Sequence, residues 1–150
     1  ANQGYKLVAH AGEEGPSEYI WEALDLLNVI RIDHGNRCLT DDKLVARLVK
    51  DSIALTLCPL SNLELKVIQK MEDHPVAKML NQGILATINS DDPAYFGGYM
   101  NENYYETSKA LKLSKDQIMK LAINSFKASW LNEEAKNKHI SEVKSYFESI

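Results

Sequence analysis

Short apolar runs alternate with stretches of helical periodicity along residues 5–93, and this alternation constrains the fold more than any other feature. The apolar runs contain few polar residues, which is typical of parallel strands covered on both faces. We predict strands at residues 5–9, 29–32, 53–57 and 84–88. Because a helical pattern follows each run, the strands should pair in parallel through right-handed crossovers. The predicted fold class is α/β.

Apolar residues at helical spacing predict six helices, at residues 18–28, 42–50, 75–81, 102–111, 115–131 and 133–149. Ser17 and Ser114 precede two of these segments and are predicted N-caps, because a serine hydroxyl can accept hydrogen bonds from the free amides of a first helical turn. Gly83 follows a third segment and suits a helix end. The chain is therefore mostly helical after its fourth strand.

Two architectures accommodate four such βα units. One is a small doubly wound sheet, and the other is half of an eight-stranded α/β barrel, which typically needs about 250 residues. The chain has 150 residues, which suits one ordinary domain. It begins with ANQGYKLVAH, which has neither an initiator methionine nor the basic start of a signal peptide. We expect either a processed chain or a piece of a longer protein.

Composition excludes several classes of function. The formal net charge of −4 argues against a nucleic-acid surface. No apolar stretch approaches the about 20 residues of a membrane span. Two cysteines, Cys38 and Cys58, are too few for a disulfide framework. A reduced, cytoplasmic chain is therefore predicted.

Polar side chains follow all four predicted strands at the point where each strand ends. The clusters are HAGE at residues 10–13, DHG at 33–35, CPLSN at 58–62 and SDDP at 90–93. Ligands of α/β folds bind at the carboxyl ends of the strands. We therefore expect the four clusters to converge on one rim.

The first cluster places a histidine near a carboxylate. Alone, His10 would more often be a hydrogen-bonded structural residue than a metal ligand. Gly12 permits a tight turn, so that His10 and Glu13 can face one cavity. A histidine and a carboxylate close together suit a metal ligand beside a general acid or base.

The second and third clusters leave alternatives open. His34 can act as an electrophile or a base, or it can be structural. For Asp33 we favour a solvated carboxylate over one that orients a site residue. For Ser61 and Asn62 we favour an N-cap at the start of the next turn over a supporting contact with the site.

The fourth cluster holds two adjacent carboxylates, Asp91 and Asp92. Two like charges at a strand end are costly unless each has a partner. A divalent cation would hold one of them ionised and leave the other free to bind a ligand. The alternative is a helix N-cap and an acidic first turn, with Pro93 at the first helical position, and both interpretations can hold together.

The clusters together predict a metal-assisted hydrolase in which His10 and Asp91 bind the metal. A catalytic zinc ion usually has three protein ligands, so the remainder must come from elsewhere. His74 lies in the polar loop MEDHP, and His139 lies in a charged terminal helix. Both are predicted to be surface residues and poor ligand candidates.

Four segments in this order resemble the adenosine/adenine deaminase family of metal-dependent hydrolases: HAGEEGPSEYIWEALDLL, RIDHG, LTLCPLSN and NSDDPAYFGGY. The likeness extends over essentially the whole chain, and CPLSN with SDDPAYFGGY looks like the adenine deaminase branch. The resemblance implies a TIM (β/α)8 barrel with one zinc ion. Residues 1–150 would be the C-terminal half of that barrel domain, with strands 5–8, their helices and further C-terminal helices.

The resemblance also implies roles for individual residues. His10 and Asp91 match zinc ligands, and Glu13 matches the group that transfers a proton at the purine N1. His34 matches the histidine that orients and polarises the zinc-bound water, and Asp92 matches the aspartate that contacts the purine N7. Two further histidine ligands belong to an H-x-H pair of the N-terminal half, and no H-x-H occurs in this sequence.

The implied activity of the parent enzyme is zinc-dependent conversion of adenine to hypoxanthine and ammonia in purine salvage. The partners would be a small purine and the N-terminal half of the same enzyme. The 150-residue chain alone is predicted to be inactive and to bind zinc weakly. Two alternatives are deamination of adenosine to inosine, and a half-barrel without catalysis that self-associates into a homo-oligomer.

Overall fold

Four short parallel strands form the sheet at the centre of the computed structural model, which describes residues 3–150. The strands are β1 (Val8–Ala11), β2 (Arg31–His34), β3 (Ala54–Leu57) and β4 (Leu85–Ile88). They are hydrogen-bonded in the order β1-β2-β3-β4, and every pair is parallel. The register places His10 opposite Asp33 and Ala11 opposite His34. The polar clusters at the carboxyl ends of the strands therefore share one edge.

Helices connect the strands and continue beyond them. They are α1 (Glu18–Asp25), α2 (Asp42–Lys50), α3 (Pro59–Glu64), α4 (Val76–Asn81), α5 (Pro93–Phe96), α6 (Met100–Leu111), α7 (Lys115–Ala128) and α8 (Glu133–Ser149). Two 3₁₀ turns, at Asn36–Thr40 and Met71–Asp73, precede α2 and α4.

The hydrophobic core lies between the sheet and the helices that cover it. Leu55, Leu57 and Ile88 of the strands are fully buried, together with Leu44 of α2. Burial of each such side chain stabilises the fold by roughly 1.5–3 kcal/mol. Leu121 of α7 joins the same core. The C-terminal helices are thus attached to the sheet and are not a separate unit.

Strands in strictly sequential order distinguish the two predicted architectures. A doubly wound sheet reverses its strand order at a switch point, where its ligand binds. The order β1-β2-β3-β4 has no reversal and is that of consecutive strands in a (β/α)8 barrel. The α/β prediction is confirmed, and the architecture is that of half a barrel followed by C-terminal helices.

Most element boundaries lie within one residue of the predictions, and α2 and α8 agree at both ends. The second strand starts and ends two residues later than predicted, and α3 and α5 were not predicted. The first strand starts later than predicted, because its pairing with β2 begins at Val8. The first helix ends earlier, at Asp25, and Asn28 has a left-handed φ of 54° that no continuing helix could adopt. The prediction of a helix to residue 131 is wrong at its end, since Ser129 is extended.

The two predicted serine caps differ. Ser114 forms a complete capping box, in which its hydroxyl accepts from the Gln117 amide and the Gln117 side chain accepts from the Ser114 amide. Ser17 occupies the N-cap position of α1, but its side chain caps no backbone amide. Helical backbone angles at Ser17 account for the difference, because a capping side chain requires an extended N-cap residue.

Across residues 3–150, no helix combines the length and the apolar character that crossing a membrane demands.

Candidate active site

A cavity of about 300 Å³ opens at the carboxyl rim of the sheet and receives side chains from all four strand ends. Its lining consists of His10, Arg31, Asp33, His34, Thr56, Cys58, Asn89 and Asp91. Glu13 lies beside it, with its Oε1 3.2 Å from Nδ1 of His34. The structure thus brings His10, Glu13, His34 and Asp91 to one rim, while Asp92 follows directly in the chain.

The turn after β1 positions Glu13. Gly12 has a φ of +68°, which an L side chain rarely adopts. A Cβ atom built there would lie 2.5 Å from Cδ1 of Ile20, which is fully buried in α1. Close packing of α1 on this turn therefore requires glycine. The same turn brings the carboxyl of Glu13 to His34.

His10 is the most exposed group of the rim, with 71% of its side chain accessible to solvent. Its Nδ1 lies 3.5 Å from Oδ2 of Asp33, and its ring centroid lies 5.0 Å from that of His34. Asp33 also accepts a 2.6 Å hydrogen bond from Oγ1 of Thr56 through its other oxygen. The prediction that Asp33 is merely solvated is wrong, because β1–β2 register places it opposite His10.

Glu13 is mostly buried, with 16% of its side chain exposed. Its Oε1 accepts a 2.8 Å hydrogen bond from Nδ2 of Asn62. Burial raises the pKa of Glu13 above its ordinary value and the nearby Asp91 carboxylate adds to this, while His34 and Asn62 oppose the rise. A carboxyl whose pKa is raised suits a general acid, because it keeps its proton to a higher pH than an ordinary glutamate does.

Two residues of the rim have backbone conformations that favour glycine. His34 has a φ of 66°, and Asp91 has a φ of 57°. Such conformations are unfavourable for a side chain and persist where the surrounding structure enforces them, often at functional sites. Oγ of Ser61 donates a 2.7 Å hydrogen bond to Oδ2 of Asp91 and so fixes its carboxylate.

The prediction that Ser61 and Asn62 cap a helix is wrong. Both lie inside α3, whose N-cap is Cys58 and whose first residue is Pro59. Their side chains are fully buried and contact Asp91 and Glu13 instead. The sequence carries a signal for this, because proline favours the first helical position and moves the cap to the preceding residue.

His74 is also placed differently from its prediction, since it is buried and not at the surface. Its Nε2 lies 3.3 Å from Oδ1 of Asn62, and its Nδ1 accepts a hydrogen bond from the Val76 amide. Burial lowers the pKa of His74 to about 4. The loop MEDHP appeared polar because packing against α3 is not visible in local composition. The other histidine predicted to be at the surface, His139, is half-buried, and its ring stacks on that of Phe126.

Asp92 lies at the N-cap position of the short helix α5, and Pro93 follows at its first position. Its side chain makes no capping hydrogen bond and is exposed. The predicted helix start is therefore present without the predicted side-chain cap. The Asp92 carboxylate remains available to a ligand.

Nitrogen and oxygen donors at the rim fit a zinc ion. Within the described residues 3–150, ligand atoms of His34, Cys58 and Asp91 lie within 4.8 Å of one another. Burial raises the pKa of the Cys58 thiol well above its ordinary value, and Asp91 and Glu13 raise it further. The protonated thiol is a poor ligand, because zinc binds the thiolate. His10 fits better, since a carboxylate at Nδ1 commonly orients a zinc-binding imidazole.

A sheet of consecutive parallel strands with histidines and carboxylates at its carboxyl rim is typical of hydrolases that have a (β/α)8 barrel. The chain belongs to the adenosine deaminase family, whose profile matches residues 1–146. The adenine deaminase of Acinetobacter baylyi is 55% identical over 141 residues, which cover 94% of this chain and 42% of that protein. The predicted likeness to the adenine deaminase branch is confirmed.

Solved structures agree with this assignment. The crystal structure of an adenine deaminase from Arthrobacter aurescens matches with a TM-score of 0.95 and 46% identity, over 98% of this chain and 45% of that one. An amidohydrolase from Burkhoderia ambifaria with bound Zn matches with a TM-score of 0.90 and 26% identity, over 99% of this chain and 42% of that one. The chain spans about two fifths of the length of the curated relatives it matches.

Proposed function

We propose that residues 1–150 are the C-terminal half of an adenine deaminase barrel, and that the complete enzyme hydrolyses adenine to hypoxanthine and ammonia. The observation that carries this proposal is the buried Glu13 carboxyl beside His34 on the rim that also holds Asp91. The similarity to proteins named adenine deaminase supports adenine as the substrate. Purine salvage in the cytoplasm is part of this proposal, and the free, buried thiols of Cys38 and Cys58 are consistent with it.

His10 and Asp91 would hold one zinc ion, together with two histidines from the N-terminal half. The bound ion would act as a Lewis acid and lower the pKa of a water molecule to about 7. The similarity of this chain to an amidohydrolase with bound Zn supports zinc over other metals. The contact from Ser61 to Asp91 and that from Asp33 to His10 would keep both ligands oriented.

Glu13 would supply the proton that the reaction requires at N1 of the ring. Water adds across the C6–N1 bond, so that oxygen bonds to C6 and a proton bonds to N1. The proton that the water molecule releases restores the Glu13 carboxyl. The proton of the C6 hydroxyl group then passes to the amino nitrogen, the C6–N bond breaks as the C6=O bond forms, and ammonia leaves. Because its pKa is raised, Glu13 can hold a proton at the pH where an ordinary glutamate has lost it.

His34 and Asp92 would position the two reactants. His34 is buried at the rim between His10 and Glu13, where it would orient the attacking water. The exposed Asp92 carboxyl would contact the purine N7. These two assignments rest on the resemblance of DHG and SDDP to family motifs, and their positions at the carboxyl ends of β2 and β4, on the same edge of the sheet, are compatible with it.

An open edge of the sheet supports the missing half as a partner. A cavity of about 340 Å³ runs between β1 and α1 and is lined by Ala9, His10, Ala11, Tyr19, Glu22, Ala23, Leu26 and Leu27. Leu26 and Leu27 are 73% and 56% exposed, which is unusual for two adjacent leucines. In residues 3–150 no strand pairs with the outer side of β1. The isolated chain is therefore proposed to be inactive.

The same edge favours a second candidate, in which two copies of the chain associate without catalysis. An unpaired strand presents free amides and carbonyls that another chain can pair with. Sedimentation of residues 1–150 at micromolar concentration tests this candidate. A monodisperse monomer would count against it.

The principal test uses the full-length protein loaded with zinc. Conversion of adenine is followed as a fall in absorbance near the adenine maximum, and adenosine is supplied in parallel at the same concentration. We expect turnover of adenine in preference to adenosine. Absence of turnover on adenine would overturn the proposed function, and faster turnover of adenosine would change its substrate.

A further inference from the structure

His74 is connected to the proposed proton donor through a single buried residue. Asn62 is fully buried and lies between the two, with its Oδ1 3.3 Å from His74 Nε2 and its Nδ2 2.8 Å from Glu13 Oε1. His74 itself is 3% exposed. It does not line the cavity at the rim, so it cannot contact a substrate there directly.

The backbone of α4 determines the tautomer of His74. The Val76 amide donates a hydrogen bond to Nδ1, so Nδ1 is an acceptor and carries no proton. The imidazole is neutral, because burial lowers its pKa to about 4. Its one N–H is therefore at Nε2, which donates to the Asn62 oxygen.

The orientation of the Asn62 amide follows from its donors. Oδ1 of Asn62 receives the His74 Nε2–H and also a 2.9 Å hydrogen bond from Nδ2 of Asn36. With two donors aimed at the oxygen, the amide nitrogen must point the other way, towards Glu13. An amide that lost these donors could rotate and present its oxygen to Glu13 instead.

This orientation decides where the Glu13 proton resides. Oε1 of Glu13 accepts the Asn62 N–H and also faces Nδ1 of His34 at 3.2 Å. The carbonyl oxygen of a carboxylic acid is a better acceptor than its hydroxyl oxygen, so the Asn62 N–H favours Oε1 as the carbonyl oxygen. The acidic proton is therefore held on Oε2, the oxygen that Asn62 does not occupy.

We propose that His74 is a positioning residue for catalysis, which acts through Asn62 to keep the Glu13 proton on Oε2. The inference rests on the proposed function, in which Glu13 protonates the purine. It explains why a histidine is buried at this point, since an imidazole in the core is unfavourable unless both nitrogens are paired. A residue that only filled space could be apolar.

The kinetic test compares two substitutions of His74 in the full-length enzyme. His74→Phe keeps a ring but removes the N–H donor, and His74→Gln keeps a donor on a side chain that can reach Asn62. We expect kcat of the His74→Phe variant to fall by roughly tenfold or more with KM within about twofold of wild type, because only proton delivery is impaired. His74→Gln should recover most of kcat, and His139→Phe in α8 is the matched control and should retain wild-type kcat.

A second measurement reads the hydrogen bond itself. In the ¹⁵N-labelled protein, the side-chain amide protons of Asn62 should exchange slowly with water in wild type and His74→Gln, and faster in His74→Phe. If His74→Phe does not fold, Asn36→Ala replaces it, since it removes the other donor to the same oxygen. Asn36→Ala should then lower kcat and accelerate that exchange in the same direction.

The outcomes separate this inference from the proposed function. Wild-type kcat in a folded His74→Phe variant, or equal losses in His74→Phe and His74→Gln, would overturn the inference while the deaminase remains. No turnover of adenine by the wild type would overturn the proposed function. The catalytic role of His74 would be overturned with it. The exchange rates would still test whether His74 orients Asn62, and unchanged Asn62 exchange in His74→Phe would overturn that orientation.

Discussion

Ser61 and Asp91 are 30 residues apart in sequence, and the Ser61 hydroxyl donates a 2.7 Å hydrogen bond to Oδ2 of Asp91. Ser61 belongs to the first turns of α3, whereas Asp91 follows β4 in a left-handed conformation. The bond therefore ties two neighbouring strand ends together at the rim. It uses Oδ2 and leaves Oδ1 of Asp91 as the oxygen that would bind the proposed zinc ion.

Ser61→Ala should weaken zinc binding by the full-length enzyme. Without the hydroxyl, the Asp91 carboxylate can rotate, and loss of a residue that orients a metal ligand typically costs about 10–100-fold in affinity. Competition with a chromogenic chelator measures the change. Ser149→Ala, at the exposed end of α8, is the control. Equal zinc affinity in both variants would contradict the role given to Ser61.

Glu13→Gln should separate chemistry from metal binding in the same enzyme. Glutamine keeps an oxygen that can accept the Asn62 N–H but has no acidic proton, so turnover should fall by roughly 10²-fold or more. Zinc content, measured by atomic absorption, should remain near that of wild type. Asp91→Ala is the matched comparison and should lose zinc first. Loss of zinc from Glu13→Gln would make Glu13 a ligand instead of an acid.

The fold should become less stable as the pH falls from about 6.5 towards 4, because His74 is buried in its neutral form. Its pKa is lowered from 6.5 to about 4 by burial, so the unfolded chain binds a proton in this interval and the folded chain does not. The stabilisation is complete above pH 6.5 and diminishes below it, by up to about 3 kcal/mol. Urea unfolding of residues 1–150 at pH 7 and pH 5 measures this loss. The loss should be smaller in His74→Gln, and equal losses in both proteins would contradict the assignment.

Gly12→Ala should destabilise the chain more than Gly83→Ala. Both glycines have positive φ, of 68° and 85°, which costs roughly 1–2 kcal/mol for alanine in either case. Only at position 12 would the new methyl group overlap another side chain, with Ile20 at 2.5 Å, whereas at position 83 the nearest atom is Cγ1 of Val49 at 3.8 Å, an ordinary contact distance. Thermal unfolding of the two variants isolates the effect of close packing. Equal decreases in melting temperature would show that α1 can move away.

The sequence was sufficient to predict the sheet and the residues at its rim. Buried parallel strands are short, nearly continuous apolar runs, and their carboxyl ends share one edge of the sheet. The sequence alone could therefore place His10, Glu13, His34 and Asp91 at that edge. Helix ends were less predictable. Asn28 and Ser129 leave the helical conformation through local backbone geometry that apolar periodicity does not report.

The supporting contacts of the site could not be predicted in the same way. Asn62 reaches Glu13 across 49 residues and His74 across 12, and these partners are decided by how α3 packs between the strand ends. The polar composition of the MEDHP loop led to the prediction that His74 is at the surface. Ser61 and Asn62 were predicted to be N-caps because serine and asparagine are common at helix starts. Only Pro59 carried a sequence signal, since it places the helix start before Ser61.

The sequential strand order has a consequence for how this segment folds. Each strand pairs with the next one along the chain, as Val8 does with Arg31 and Arg31 with Ala54, so every pairing closes a loop of roughly 20–30 residues. These separations are intermediate, longer than the local contacts of a helical bundle, and they let each βα unit add to the one before it. β1 is the first strand of the segment to be synthesised, so β2, β3 and β4 can each pair with a strand that is already present.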